Sequence, residues 1–416
     1  MDRKLWTIIK KEIERQINTI DLIPSENFVD LETLFLIGSP LTNKYAEGSV
    51  GKRYYPGNKF IDEIEYLAQQ RALKAFGLKE TQWQVNVQPY SGSPANLAVY
   101  LALIKPNDVL MGLNLFHGGH LTHGHSANYS GKLFKSISYK VNPQTELIDY
   151  DEIEKLAAKY KPKIIVSGTT AYPRKIDFKK IGIIAHKFGA WHLADISHIA
   201  GLVIAGLHPS PFLWADIVTM TTHKTLKGPR GAVIFYRKEL KEKIEKSVFP
   251  GLQGGPHLNT IAGIAYAFGR ALSPKFKKYQ QQIIKNTKAF EKYLKNFGFT
   301  LYTGGSDNHL LVIDLKPIGI SGYEAEVKLE KANILANRNS LPNDTSPLRP
   351  SGLRLGTPAI SSRGFKEKEI KIISEFIYKI LILKENPSKL KKDVIEFLKA
   401  YPLPYEKWFK LVLQNI

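Results

Sequence analysis

DIVTMTTHKTLKGPRGAVIFY (216–236) contains two apolar, β-branched runs, DIVTMTT (216–222) and AVIFY (232–236), joined by a polar turn with two glycines and a proline. Short runs of this composition bounded by turn residues read as strands, and the first of them delivers His223 and Lys224 at its end. Working outward, runs of the same kind recur at QVNVQ (84–88), DVLMGL (108–113), KIIVSG (163–168) and WHLAD (191–195), with helical patterns at 151–160 and 177–188 between them. Strands alternating with helices predict an α/β fold, a mostly parallel sheet covered by helices. Ligands in such sheets gather beyond the carboxyl ends of the strands, so the residues just after each run are the ones to inspect.

Downstream, a helical tract from about Asn259 to Asn296 breaks at FGF and TGGSDN. It is followed by candidate strands FTLY and HLLVIDL and helices at 322–332, 365–383 and 387–399. A smaller C-terminal α/β domain is expected, with the boundary along that tract: an N-terminal arm (1–30), a large domain (31–275) and a small domain (276–416).

The 416 residues, 43% hydrophobic, can bury one large core and a second smaller one. With no cysteine, disulfides, thiolate nucleophiles and Cys-ligand zinc sites are excluded. The first residues, MDRKLWTIIKKEIERQ, have helical amphipathic spacing, and IAGLVIAGLHPSPFLW is interrupted by Gly, His and Pro too early to span a bilayer. The expectation is a cytoplasmic protein without membrane association. A formal charge of +21 invites a nucleic-acid partner. The lysines, however, are scattered over amphipathic helices and read as solvated faces, which disfavours that partner.

Three strand-end positions carry unusual chemistry. Ser91-Gly92-Ser93, in VQPYSGSPANLAVYLAL, opens an apolar helix, and free N–H groups, helix dipole and hydroxyls together suit a phosphate; Ser93 as a simple cap ahead of Pro94 is the plainer reading. Asp195 closes the strand WHLAD with His198 three residues on, placed to pair with a protonated ring nitrogen or merely to cap the next turn. Lys224 follows DIVTMTT in TTHKTLKGPRG, where desolvation lowers an amine's pKa and favours a Schiff base with an aldehyde cofactor.

Phosphate turn, strand-end Asp and strand-end Lys occur here in the order used by fold-type I pyridoxal phosphate enzymes. The chain resembles a serine hydroxymethyltransferase of the bacterial type. The matching segments are DLIPSEN (21–27), LTNKYAEGSVGKRYYPG (41–57), QPYSGSPAN (88–96), FHGGHLTHG (116–124), ADISHIAGL (194–202), TTHKTLKGPRG (221–231), FPGLQGGP (249–256) and SGLRLGTPA (351–359).

The resemblance implies an aspartate aminotransferase-like fold and transfer of the serine hydroxymethyl carbon to tetrahydrofolate, giving glycine and 5,10-methylenetetrahydrofolate. It implies pyridoxal 5'-phosphate held covalently on Lys224, with Asp195 on the pyridine nitrogen, His120 stacked on the ring and Thr170 beside it. Ser91, Gly92 and Ser93 would hold the phosphate with His223, joined by Gly254 and Gly255 from the other subunit of a homodimer with shared sites, a tetramer being left open. Arg354 would clamp the amino-acid carboxylate with Ser25, and His198 would lie near it. Glu47, Tyr45 and Tyr55 would enter from the partner subunit, Glu47 handling the proton. Leu115, Gly119, Leu121 and Asn339 match folate contacts.

Without the resemblance, Arg354 reads as a salt-bridge partner and KYAEG as a surface loop. HGGHLTHGH offers four histidines but neither helical metalloprotease spacing nor a nearby carboxylate, so no metal is expected. Thr170 stands where the family usually has serine, Pro24 and Ser197 where it has alanine, and Asn259 where histidine is common. A threonine aldolase-type enzyme and an additional RNA-binding role are the alternatives.

Overall fold

The computed structural model describes residues 2–344 and 349–414, which divide into two compact units, 32–280 and 1–31 with 281–416. In the first, seven strands form one sheet: β1 (Trp83–Asn86), β2 (Val109–Leu113), β3 (Lys135–Tyr139), β4 (Ile164–Ser167), β5 (Trp191–Asp195), β6 (Ile217–Thr221) and β7 (Ala232–Arg237). Their order is β1-β7-β6-β5-β4-β2-β3. Neighbours from β6 to β3 run parallel, whereas β7 is antiparallel to both β6 and β1.

Six of these strands follow the apolar runs. The seventh, β3 (KSISY), has no counterpart among the sequence-predicted strands: it lies at the sheet edge, where only Tyr139 is buried and Lys135, Ser136 and Ser138 are polar. Leu110, Ile164, Leu193, Ile217 and Ile234 from successive strands share a core with Ala95, Val99 and Tyr100 of the helix Gly92–Leu103. Each large aliphatic side chain removed from water here contributes about 1.5–3 kcal/mol, which fixes the start of that helix against the sheet. The 259–296 tract is two helices, Leu258–Ala271 and Pro274–Asn296, because proline suits a helix's first turn and not its interior.

In the second unit, β8 (Thr300–Leu301), β9 (Leu310–Asp314), β10 (Asn337–Asn339) and β11 (Gly352–Gly356) form an antiparallel sheet in the order β8-β9-β11-β10. The N-terminal residues are built into this unit: Ile20 and Asp21 pair in parallel with Ile334 and Leu335, and Ile20 and Leu22 join the core of Leu311, Ile313, Leu353 and Ile373. The buried Arg363 guanidinium donates to the carbonyls of Ile17 (2.5 Å) and Thr19 (3.0 Å), satisfying the end of the helix Arg3–Ile17. Among the described residues no helix is long and apolar enough to cross a membrane.

Candidate active site

The turn after β6 is fastened on all sides, and Lys224 is buried within it. Thr222 Oγ1 donates to Pro229 O (2.6 Å), Gly228 N to Thr222 O (2.8 Å) and Thr225 Oγ1 to His198 O (3.0 Å). Arg270 Nη2 caps the carbonyls of Leu226 (2.7 Å) and Lys227 (2.8 Å). Lys227 takes a left-handed φ of 62°, and a Cβ on Gly228 would lie 2.8 Å from the Ala267 Cβ, so the glycine lets the turn close on its supporting helix. His223 lies beside Lys224 with its Nδ1 buried and without a hydrogen-bond partner. Burial, with the charges of Lys224 and Arg230, lowers its imidazole to about 3.

On the neighbouring strand, register sets Asp195 opposite Thr219. Asp195 Oδ2 accepts from Asn96 Nδ2 (2.9 Å) and lies 3.1 Å from His123 Nε2, while Oδ1 accepts from Ser197 N (3.0 Å). Burial alone would raise this carboxyl. The hydrogen bond and charge of His123, the charge of His120 and the Ser197 side chain outweigh it and hold Asp195 well below the ordinary carboxylate range. His120 Nδ1 is 2.7 Å from Thr122 Oγ1, and burial, with His123 and Lys224 nearby, lowers His120 to about 4. Ser197, one of the departures, receives Thr221 N on its hydroxyl (3.1 Å) and so ties the two strand ends together.

Ser91 is the N-cap of the helix Gly92–Leu103, yet its hydroxyl makes no capping bond. A Cβ on Gly92 would come 2.8 Å from Thr221 Cγ2, so only glycine lets this helix start approach the end of β6. Leu115 and Leu121 open two 3-10 turns, Leu115–His117 and Leu121–His123, on either side of Gly119. A Cβ on Gly119 would lie 2.0 Å from Leu113 O. Thr170 Oγ1 donates to Gly119 O (2.7 Å), so its hydroxyl holds this loop.

The 44–57 loop is pinned through its backbone. Arg53 Nη1 donates to Ala46 O (2.9 Å) and Gly48 O (2.8 Å), the carbonyls either side of Glu47, while Nη2 pairs with the buried Glu65 (2.6 Å). Gln88 Nε2 reaches Gly48 O (3.0 Å), and Asn58 Nδ2 reaches Tyr55 O (2.8 Å). The same loop meets the FPGLQGGP turn: a Cβ on Gly254 would come 3.0 Å from Glu47 Oε1, and one on Gly255 equally close to the Tyr45 ring. Asn259 Nδ2 donates to Ile37 O (2.7 Å), which explains how asparagine serves at that position.

Arg354, Ser25 and Asn339 belong to the second unit. Arg354 Nε donates to Asn337 Oδ1 (3.1 Å), a neutral amide, and burial lowers the guanidinium to about 10. Gly356 N donates to Leu22 O (2.7 Å), and a Cβ on Gly356 would lie 2.4 Å from the Pro24 Cα, which brings the Ser25 segment to the end of β11. Asn339 ends β10 and donates to Ser340 O (2.6 Å).

A sequence model of the family described as serine hydroxymethyltransferase matches residues 1–377. The chain belongs to the serine hydroxymethyltransferase family. A curated relative from Caenorhabditis elegans named serine hydroxymethyltransferase is 48% identical over 417 residues, covering 95% of this chain and 82% of the relative. A second of the same name, from Caenorhabditis briggsae, is 47% identical over 428 residues, covering 98% and 84%. Serine hydroxymethyltransferases are fold-type I pyridoxal phosphate enzymes that interconvert serine and glycine with tetrahydrofolate as co-substrate. The chain is a pyridoxal phosphate-dependent transferase of this kind.

The residues present fit that cofactor. An ionised Asp195 suits a protonated pyridine nitrogen, a helix start whose Ser91 hydroxyl is not spent on capping suits a phosphate, and His223 Nδ1 is buried without a partner. Asn96, Thr122, His123 and Arg53 hold the candidate site residues through hydrogen bonds, although sequence reading gave them no role. All four stand inside quoted family segments, but Asn96 and Asp195 are 99 positions apart, and no local spacing signals that they meet.

Proposed function

We propose that Lys224 carries the cofactor covalently in this serine hydroxymethyltransferase, in a cytoplasmic homodimer whose large domain (31–275) binds it beside an arm (1–30) and a small domain (276–416). The observation that carries this reading is Lys224, buried in the turn after β6, the strand that pairs with the one closed by an Asp195 held ionised by its neighbours. When bound, pyridoxal phosphate supplies an electron sink for the bond between the α and β carbons of serine.

The remaining work falls to side chains. Asp195 would pair its negative charge with the ring nitrogen, His120 would stack on the ring with Thr170 beside it, and Ser91, Gly92, Ser93 and His223 would hold the phosphate. His198 lies near the substrate carboxylate, which Arg354 grips with its planar fork of donors, helped by Ser25, so that the breaking bond is held in orientation. Leu115, Gly119, Leu121 and Asn339 receive the folate.

Glu47 holds and moves the proton at the hydroxymethyl oxygen, with Tyr45 and Tyr55 beside it, and with Gly254 and Gly255 it serves the site of a second copy. Two observations support sharing: Glu47, Tyr45, Gly254 and Gly255 lie together on one chain, and the aromatic side chains of Phe35, Tyr54, Phe60 and Tyr66, close to this loop in sequence, are each exposed.

The test is the visible spectrum of the purified chain on adding glycine and then tetrahydrofolate. A yellow protein whose spectrum shifts strongly only with both ligands supports the assignment. A colourless protein that stays colourless with added pyridoxal phosphate overturns it.

A further inference from the structure

One amide links the two residues on which the site reading rests most heavily. Asn96 lies in the first turns of the helix Gly92–Leu103 and is buried. Its Nδ2 donates one hydrogen to Asp195 Oδ2 (2.9 Å) and the other to Thr122 Oγ1 (2.9 Å). Its Oδ1 accepts from the Thr219 hydroxyl (2.7 Å), on the strand beside Asp195. These partners fix which way the amide faces, because a flip would set Oδ1 against a carboxylate and leave the Thr219 hydroxyl facing a donor.

The donor count continues outward. Thr122 Oγ1 already accepts from Asn96, and a hydroxyl has a single proton to give. His120 Nδ1 is the atom 2.7 Å away, and Thr122 N also donates to it at 3.2 Å. Two donors converge on His120 Nδ1, so that nitrogen carries its lone pair and the ring proton sits on Nε2.

We propose that Asn96 is a positioning residue for the hydroxymethyl-transfer reaction, one amide that holds the Asp195 carboxylate and, through Thr122, sets the tautomer and angle of the His120 ring. The inference rests on the reading that Asp195 and His120 flank the cofactor. It adds that these two groups are oriented as a pair, with Thr219 locking the amide between them. Replacing Asn96 by Asp keeps the acceptor for Thr219 and removes the donor to Thr122, because the one proton that two carboxyls at this separation share lies between the new carboxyl and Asp195. Thr122 must then give its proton to the new carboxylate, and the hydrogen-bond chain to His120 reverses.

The test uses the full chain labelled with 15N-histidine, the His120 resonances being identified by their absence in His120→Asn. Wild type is expected to show an unprotonated Nδ1 and a protonated Nε2. In Asn96→Asp the shifts move toward a protonated Nδ1, and the dissociation constant for pyridoxal phosphate rises about tenfold to a hundredfold, the size of a lost hydrogen bond to a charged group.

Thr122→Val and Thr122→Ser give a second route that leaves Asn96 in place should Asn96→Asp not fold. Serine retains wild-type cofactor affinity, and valine loses several-fold. Unchanged His120 shifts and affinity in Asn96→Asp, or equal behaviour of the serine and valine variants, overturn the proposal while Asp195→Asn still impairs cofactor binding. If Asp195→Asn itself binds and turns over normally, the assignment of Asp195 falls, and the Asn96 proposal with it.

Discussion

At the end of β5, Asp195 is 9% exposed, and both its oxygens are met by Asn96, His123 and Ser197 of the same chain. The 44–57 loop is treated differently. Arg53, Gln88 and Asn58 hold its carbonyls, yet Tyr45, Tyr54 and Tyr55 remain 53%, 74% and 45% exposed. A cluster that must hold one charge in a dry place needs all its partners beforehand, because an unpaired buried polar group costs about 1–3 kcal/mol. On the proposal that the 44–57 loop serves a second copy, it needs only a rigid backbone, its side chains being left to meet their partners on association.

The largest effect bears on the first region. Lys224→Ala is expected to lose the protein's visible cofactor band and to reduce multiple turnover to background; a variant that keeps both would break the contrast at its root. Next comes the loop. Glu47→Gln should retain the band and bind serine, while folate-dependent transfer, measured under saturating serine, falls by about 10²–10⁴-fold. Mixing the two variants so that copies exchange sharpens the comparison. If each site draws its lysine from one copy and its glutamate from the other, a random equal mixture recovers about a quarter of wild-type activity. If both come from the same copy, it recovers none.

A smaller change is expected in the second unit. Arg354→Lys keeps a positive charge but loses the bidentate fork, and should raise KM for serine about tenfold or more with the cofactor band unchanged.

The smallest effect concerns pH. Burial lowers His192 to about 4 and His120 to about 4, below the ordinary 6.5 of the unfolded chain. Between these values the unfolded chain binds more protons, so stability is full above about 6.5 and is lost as pH falls toward 4. For the fully buried His192 this is worth up to about 3 kcal/mol. Thermal unfolding midpoints should fall across that window, and the slope should be shallower in His120→Asn.

Much of the fold was legible because most strands of the large sheet are short, mainly apolar runs buried on both faces. The edge strand β3 was not, since a strand with one open side tolerates KSISY. Strands β10 and β11 were likewise missed: NRN and GLRLG are short and broken by polar or glycine residues, and they hold as strands through pairing with β9 and each other. The tract after Asn259 read as one helix because its periodicity continues across Ser273-Pro274, whereas the chain restarts there.

By itself the sequence determined the residues with intrinsic chemistry and their places at strand ends: Lys224, Asp195 and the Ser91-Gly92-Ser93 turn follow from local patterns of apolar run, glycine and hydroxyl. Only the tertiary structure decided which further side chains complete them. Asn96, the adjacent pair Thr122-His123, and Thr219 come from three different stretches, and hydrogen bonds between them depend on distances of about 3 Å that no periodicity encodes. The same holds for Arg53, whose clamp on the carbonyls around Glu47 exists only once Glu65 and Gln88 are buried beside it.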